Sequence, residues 1–422
     1  MNPRTIIFSL AAPVISLAGA VAPRYAGGDI SLLPEYIEAG AQYKTHDGKP
    51  IAEFLPYLHD EGMNAMRVRL FVDPDAYDGP DKDPNACQDL EYVTPLCRQI
   101  KEAGFALMLD FHYSDTWADP AKQWTPAAWQ GLSDDQLIDK IHDYTSSVLS
   151  HLIENGATPD FIQPGNEISY GMLWGKPSDP ESSLKKTFMG SDANWDRLGR
   201  LLRSAIAACR EKCPDAGIII HTERVAQVDV LMNFYDRMRS LDVDYDIIGL
   251  SYYPYFHGDL PVLDKALDTV EKEYPEKDIM IVETGYSYKW EVPGTSHDLS
   301  GKYPYSDEGQ DAFARDLVAT LLDHERVDGL FWWWMEYNAF DTDLSGWYNA
   351  PLFDSTTGCA TSALKTICSF ATPTGAVDAI YSPDGTDSTW YTVEGLPLSA
   401  PTRPGLYIRN GKKILLGGMR GR

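Results

Sequence analysis

Between residues 25 and 334 the chain alternates short apolar runs of β-forming residues with longer amphipathic stretches, and the number of runs is eight. They are YAGGDI (25–30), AMRVRLF (65–71), FALMLDF (105–111), DFIQPG (160–165), GIIIH (217–221), DIIGLSY (246–252), DIMIVE (278–283) and DGLFWWW (328–334). Between them lie helical patterns such as IAEFLPYLHDEG, LCRQIKEAG, DKIHDYTSSVLSHLIENG, RLGRLLRSAIAACREK and GQDAFARDLVATLLDHER, several of them stopped by glycine. A helix after every strand returns the chain to the same sheet edge, so consecutive strands run parallel. Eight such units predict a closed (β/α)₈ barrel of the α/β class, the TIM barrel, over residues 23–370.

A barrel of this kind carries its chemistry at the C-terminal ends of its strands. Arg67 and Arg69 lie two apart in the second run, and side chains alternate across a strand, so they share one face while Met66, Val68 and Leu70 share the other. The apolar face meets the helices. The arginines therefore turn toward the barrel axis, where buried cations need carboxylate partners. The third run ends in Asp110 and His112, the fourth in Asn166 and Glu167, the sixth in Ser251, Tyr252 and Tyr253, and the seventh in Glu283.

Composition removes several functional classes. A net charge of -26 opposes binding to a polyphosphate backbone or an anionic membrane surface, so no nucleic-acid partner is expected. The N-terminus has Arg4, an apolar run from Ile6 to Leu17 and small residues at Ala18, Gly19, Ala20 and Ala22. That pattern is a secretory signal over residues 1–22, too short to span a bilayer, and no other stretch reads as transmembrane. The expected location is secreted: extracellular, cell-surface or periplasmic. The six cysteines, Cys87, Cys97, Cys209, Cys213, Cys359 and Cys368, then meet an oxidising compartment in which disulfides persist, although spacing selects no pairing. Cys209 and Cys213 sit one helical turn apart and could form half a zinc site, without a second pair to complete it.

Two carboxylates at the ends of strands four and seven face each other across one barrel mouth. Glycoside hydrolysis needs that arrangement: one acid to protonate the leaving oxygen and one carboxylate to attack the anomeric carbon, about 5–5.5 Å apart in a retaining enzyme. A second carboxylate and apolar walls would raise the pKa of the acid, and a nearby arginine would keep the nucleophile ionised.

The segments GGDISLLPEYIEAGAQY, MRVRLFVDP, LDFHYSDTWADPAKQ, GNEISYGMLWG, SYYPYFHG, VETGY and YPYSDEGQ, in this order and spacing, resemble the endo-β-1,4-galactanases that cleave type I arabinogalactan, glycoside hydrolase family 53. The resemblance covers roughly residues 25 to 365. It implies Glu167 as general acid/base, Glu283 as nucleophile and Asn166 as the contact to the sugar 2-hydroxyl. It further implies substrate contacts from Arg69, Asp110, His112, Tyr253, His257 and Trp333, with Asp115, Trp117, Asp119 and Trp174 shaping the groove. Two residues keep a second reading: His112 as a hydrogen-bonded structural histidine, Trp174 as loop packing. The eighth strand departs from the family, with FWWWMEYNAF where Tyr-Trp-Glu-Pro is usual, so Trp333 as subsite floor depends on register. No cofactor is implied as required. Bacterial members can hold a structural calcium after strand seven, for which Glu291, His297, Asp298 and Asp307 are the candidate ligands. The expected partners are galactan polysaccharide and galacto-oligosaccharides, and the expected state a monomer.

Residues 371–422 change composition. Asn410-Gly411 between apolar runs signals a hairpin. YTVEGLPL followed by RPGLYIRNGKKIL resembles C-terminal tails of secreted Bacteroidetes proteins that direct export to the cell surface; a small β-appendage is the other reading.

Overall fold

The structure, a computed structural model, describes residues 23–79, 82–189, 192–289, 291–338 and 350–371, together with strand segments 390–391, 397–398, 405–409 and 412–416. The leader at 1–22 lies outside the described residues. Eight strands close into a parallel barrel: β1 Tyr25–Asp29, β2 Ala65–Leu70, β3 Ala106–Phe111, β4 Phe161–Pro164, β5 Gly217–Thr222, β6 Ile247–Tyr252, β7 Asp278–Thr284 and β8 Val327–Trp332. β8 returns to pair with β1, placing Phe331 opposite Gly27. One long helix follows each strand: α1 Phe54–Glu61, α2 Leu90–Glu102, α3 Asp134–Glu154, α4 Asp192–Lys212, α5 Val228–Ser240, α6 Leu260–Glu273, α7 Asp307–Leu322 and α8 Ser362–Cys368. The alternation read from the sequence is the architecture observed.

Helix α3 shows how local sequence sets an element. Ser133 accepts from the Gln136 N–H while the Gln136 side chain accepts from the Ser133 N–H, a capping box that fixes the start. Strand ends fall within one or two residues of expectation, and at two of them the backbone gives the reason. β4 stops at Pro164, before Gly165 at φ +107°, and β8 stops at Trp332, two residues before Trp334 at φ +51°.

The barrel interior is layered by the two-residue period of the strands. Its floor is a sealed apolar plug of Ala65, Met108, Phe161, Ile219, Ile247, Met280, Val282 and Phe331. The intervening residues, such as Met66, Leu107, Ile218 and Ile248, face outward into the core beneath the helices. On β2 to β5, advancing two residues from the plug changes the chemistry: Ala65 leads to Arg67, Met108 to Asp110, Phe161 to Gln163 and Ile219 to His221, while just past β8 Phe331 leads to Trp333. A shift of register between Leu250 and Ser251 brings Ser251 level with Glu283 of β7.

Cys87, Cys97, Cys209, Cys213, Cys359 and Cys368 are all free thiols. Cys209 and Cys213 are buried at the end of α4, where burial pushes both thiols up. Toward the C-terminus, β9 Trp390–Tyr391, β10 Pro397–Leu398, β11 Gly405–Arg409 and β12 Lys412–Leu416 form a sheet in the order β10-β9-β11-β12. β11 and β12 pair antiparallel with Arg409 opposite Lys412, the hairpin signalled by Asn410-Gly411.

Replacing Phe331 by Ala should lower the unfolding free energy by about 3–5 kcal/mol, because the plug has no neighbour free to fill the void. Guanidinium denaturation measures it; a loss below about 1 kcal/mol would mean that the plug repacks.

Candidate active site

Above the plug lies a layer of charge. Arg67 and Arg69 are fully buried, as their shared face required. The Arg67 guanidinium donates to Asp29 Oδ2 at 3.3 Å, Asp110 Oδ2 at 2.8 Å and Asn166 Oδ1 at 2.9 Å, and stands 2.9 Å from Glu283 Oε1. Arg69 donates to Asp29 Oδ1 at 2.6 Å. Burial opposes the Arg67 charge, but Asp110, Glu283 and Asp29 outweigh it and hold the group protonated. Burial likewise opposes ionisation of Asp110, and there Arg67 and His112 win. Gln163 of β4 completes the layer, donating to Asp110 Oδ1 at 2.5 Å.

The two glutamates stand in different surroundings at the mouth. Glu283, at the end of β7, accepts from Tyr253 Oη at 2.9 Å through Oε2, while its other oxygen faces Arg67. Burial lifts its pKa to about 7, with Arg67 pulling against the rise. Glu167 follows β4 with a left-handed backbone, φ +47° and ψ +52°, strain that a residue without a glycine's freedom sustains only where its surroundings impose it. Its Oε1 lies 2.7 Å from Ser251 Oγ. Burial pushes it well above the ordinary carboxylate range, and the charges of Glu283 and Glu223 add to the shift, with no cation among the described residues to neutralise it. Of the two acids, Glu283 ionises first.

Both acids line one groove of about 470 Å³. Asn166, Trp117, Asp119, Tyr253, His257 and Trp333 of the sequence-derived set line it with them. Asn166 is fixed by Nδ2 donating to the Ala118 carbonyl at 2.8 Å. His257 Nδ1 accepts from the Tyr253 N–H at 2.9 Å, and burial lowers its pKa to about 4. Trp117 and Trp333 meet at 6.1 Å between centroids, and Trp334, which the sequence reading passed over, joins them.

Five residues of that set sit elsewhere. Arg69 lies beneath the indoles, its guanidinium carbon 4.7 Å from the Trp117 ring and 5.2 Å from each of Trp333 and Trp334. Asp110 is committed to the charge layer. His112 is buried, accepting from the Ala118 N–H through Nδ1 with Nε2 3.0 Å from Asp110. Asp115 ties loops together, accepting from the Asp73 and Ala127 N–H groups. Trp174 is wholly buried, donating to the Tyr170 carbonyl at 3.0 Å and packed edge-on to Trp124.

Four residues outside that set complete the surroundings. Asp29 joins both arginines. His221 of β5 lies between Asn166 and Ser251. Glu223 lines the groove and is held by Ser169 Oγ and by Arg224 Nε at 2.8 Å. Glu336 is buried beyond β8, accepting from the Leu32 N–H, and burial lifts its pKa to about 8. The sequence signal for His221 was available, since it closes an otherwise apolar strand at the catalytic end.

The calcium set does not assemble. Asp307 is the first residue of α7, and its carboxylate takes the Ser362 N–H and hydroxyl; Asp298 takes the Ser300 N–H; Glu291 and His297 are exposed. Among the described residues no group of three or more His, Cys, Asp or Glu is placed to hold a metal.

A family model described as Glycosyl hydrolase family 53 matches residues 25–367. A relative from Niallia circulans, known only as an uncharacterized protein in the bgaB 5′ region, is 36% identical over 73% of this chain and 82% of its own. The arabinogalactan endo-beta-1,4-galactanase A of Aspergillus niger is 30% identical over 78% of this chain and 89% of its own. The solved catalytic domain of an Ignisphaera aggregans protein of the same family superimposes with a TM-score of 0.71 at 32% identity, covering 83% of this chain and 97% of that one.

Arg67→Met should destabilise the fold by about 3–5 kcal/mol, since Asp29, Asp110 and Glu283 would share a buried site without their common cation. It should also raise the Glu283 pKa. Thermal unfolding with carboxylate titration by NMR reads both effects; an unchanged Glu283 pKa would remove Arg67 from its control.

Proposed function

The chain belongs to glycosyl hydrolase family 53, and from that premise we propose that it cleaves internal β-1,4-galactosidic bonds of type I arabinogalactan by double displacement, with retention of configuration. One observation carries the mechanism: two glutamates in one groove, one contacting a cation and a phenol, the other desolvated beside a hydroxyl. These environments separate their pKa values in the direction that an acid and a nucleophile need. The galactan assignment draws on the A. niger relative, named for that activity.

In the first step the Glu283 carboxylate attacks the anomeric carbon. The glycosidic bond breaks as Glu167 gives its proton to the departing oxygen, leaving a glycosyl ester on Glu283 and an ionised Glu167. In the second, Glu167 takes a proton from water, the resulting hydroxide equivalent attacks the same carbon, and the ester bond to Glu283 breaks. Tyr253 donates to the attacking carboxylate and stays with it as charge leaves. Asn166 Nδ2, with one hydrogen on Ala118, offers its second to the sugar 2-hydroxyl. The indoles of Trp117 and Trp333 present flat apolar faces to the sugar ring, and Arg69 holds them from below.

The charge and the leader motif support action outside the cell on a neutral polysaccharide. Among the described residues no helix is long and apolar enough to cross a membrane. We place the catalytic unit at residues 23–370, with the C-terminal sheet as an appendage beyond it.

The purified protein should release reducing ends from β-1,4-galactan and none from mannan or cellulose; the reverse pattern would move the substrate assignment. Glu283→Ala should lose turnover by several orders of magnitude, with azide restoring part of it as the product of inverted configuration. Glu167→Gln should depress hydrolysis of galactan far more than that of an aryl galactoside whose leaving group needs no proton. Equal losses on the two substrates would take the acid role from Glu167.

A further inference from the structure

Glu167 is bound twice by one hydrogen-bonded loop of buried groups. Its N–H points at His221 Nδ1 at 3.3 Å, His221 Nε2 lies 2.8 Å from Ser251 Oγ, and Ser251 Oγ lies 2.7 Å from Glu167 Oε1. The loop leaves the backbone of one residue and returns to its side chain. The left-handed conformation at Glu167 is the geometry in which its N–H turns inward to reach β5. The register shift before Ser251 sets that hydroxyl level with the catalytic end of β7. His221 and Ser251 are both fully buried, so neither has water as an alternative partner.

Resting on the assignment of Glu167 as acid/base, we propose that His221 and Ser251 are positioning residues that commit Oε1 of Glu167 to acceptance and leave the catalytic proton to Oε2. The polarity follows from the donors. Asn166 Oδ1, 3.0 Å from His221 Nδ1, already accepts from Arg67 at 2.9 Å and Gln163 at 3.3 Å, whereas the Glu167 N–H donates to His221 Nδ1. Nδ1 therefore accepts, Nε2–H donates to Ser251, and the Ser251 hydroxyl donates to Glu167. A neutral ring is required. Burial lowers the His221 pKa well below its ordinary value, and the Arg67 charge adds to the effect.

The loop serves both half-reactions. With Glu167 protonated, an occupied Oε1 keeps the proton on the oxygen free to meet the glycosidic bond. With Glu167 ionised, the same hydroxyl stabilises the carboxylate that must activate water. The groups acting on Glu167 from other elements are Glu283 of β7, Glu223 after β5 and Asp119 after β3, and each disfavours its charge. Tyr253 after β6 is the neutral phenol bound to Glu283. Those acting on His221 are Arg67 of β2, Asp110 of β3 and His112. Ser251 is the donor that opposes the three carboxylates.

Two measurements test this. In Ser251→Ala the basic limb of the kcat/KM profile on galacto-oligosaccharide should move up by about one pH unit, because a donor to the ionised form is lost. In 15N-labelled protein, the histidine whose ring signals change in that variant should be a neutral Nε2–H tautomer that does not titrate between pH 5 and 8. An Nδ1–H tautomer would reverse the chain, pointing the Ser251 proton at the ring, and would overturn the proposal. So would a basic limb that stays in place or moves down. The tautomer is read without turnover, and persistence of the basic limb in Glu167→Gln would instead remove Glu167 from the acid role, so the two ideas fail separately.

Discussion

One buried guanidinium organises the catalytic end of this barrel. Arg67 meets carboxylates from β1, β3 and β7 and the amide that follows β4, so four strand ends are tied to a single planar cation. A lysine could not do this, since its point charge lacks the fork that reaches several oxygens in one plane. Coulomb attraction in a water-free layer is strong, but so is the desolvation it must offset, and an unmatched carboxylate there would be costly. The same contact that holds the layer together also sets the ionisation order of the two glutamates: Glu283 touches the cation and Glu167 does not.

A second arrangement works above it. Arg69 uses Asp29 for its charge and its flat face for the indoles, so the aromatic floor of the groove rests on the layer that holds Glu283. Floor and Glu283 are thereby referenced to the same carboxylate, Asp29. The indoles and the Glu283 carboxylate are set by one piece of structure rather than by two separate loops.

The fold was legible because its signal is periodic. Eight apolar runs with helices between them admit few topologies, and the alternation of Arg67 and Arg69 with Met66, Val68 and Leu70 named the buried cations before any coordinates. The site was legible where residues sit on strands or directly after them, as Glu167, Asn166, Tyr253 and Glu283 do. It was less so on the β3 loop. Within LDFHYSDTWADPAKQ, Trp117 and Asp119 face the groove, while His112 and Asp115 turn inward to satisfy backbone N–H groups, and no period in a loop distinguishes the two. His221 and Asp29 were missed because the importance of each lies in partners on the flanking strands, which are far away in the chain.

On β2, β3, β4 and β5 the plug and the polar layer lie two residues apart, which makes the phase of those strands an invariant of the site. Deleting or inserting one residue within β2 would put Met66 and Val68 on the axis and drive both guanidiniums into the aliphatic shell under the helices. The connecting loops bear no such constraint. Diversification of substrate range on this scaffold is thus confined to the rim, while the staves of the barrel remain fixed in count and in phase.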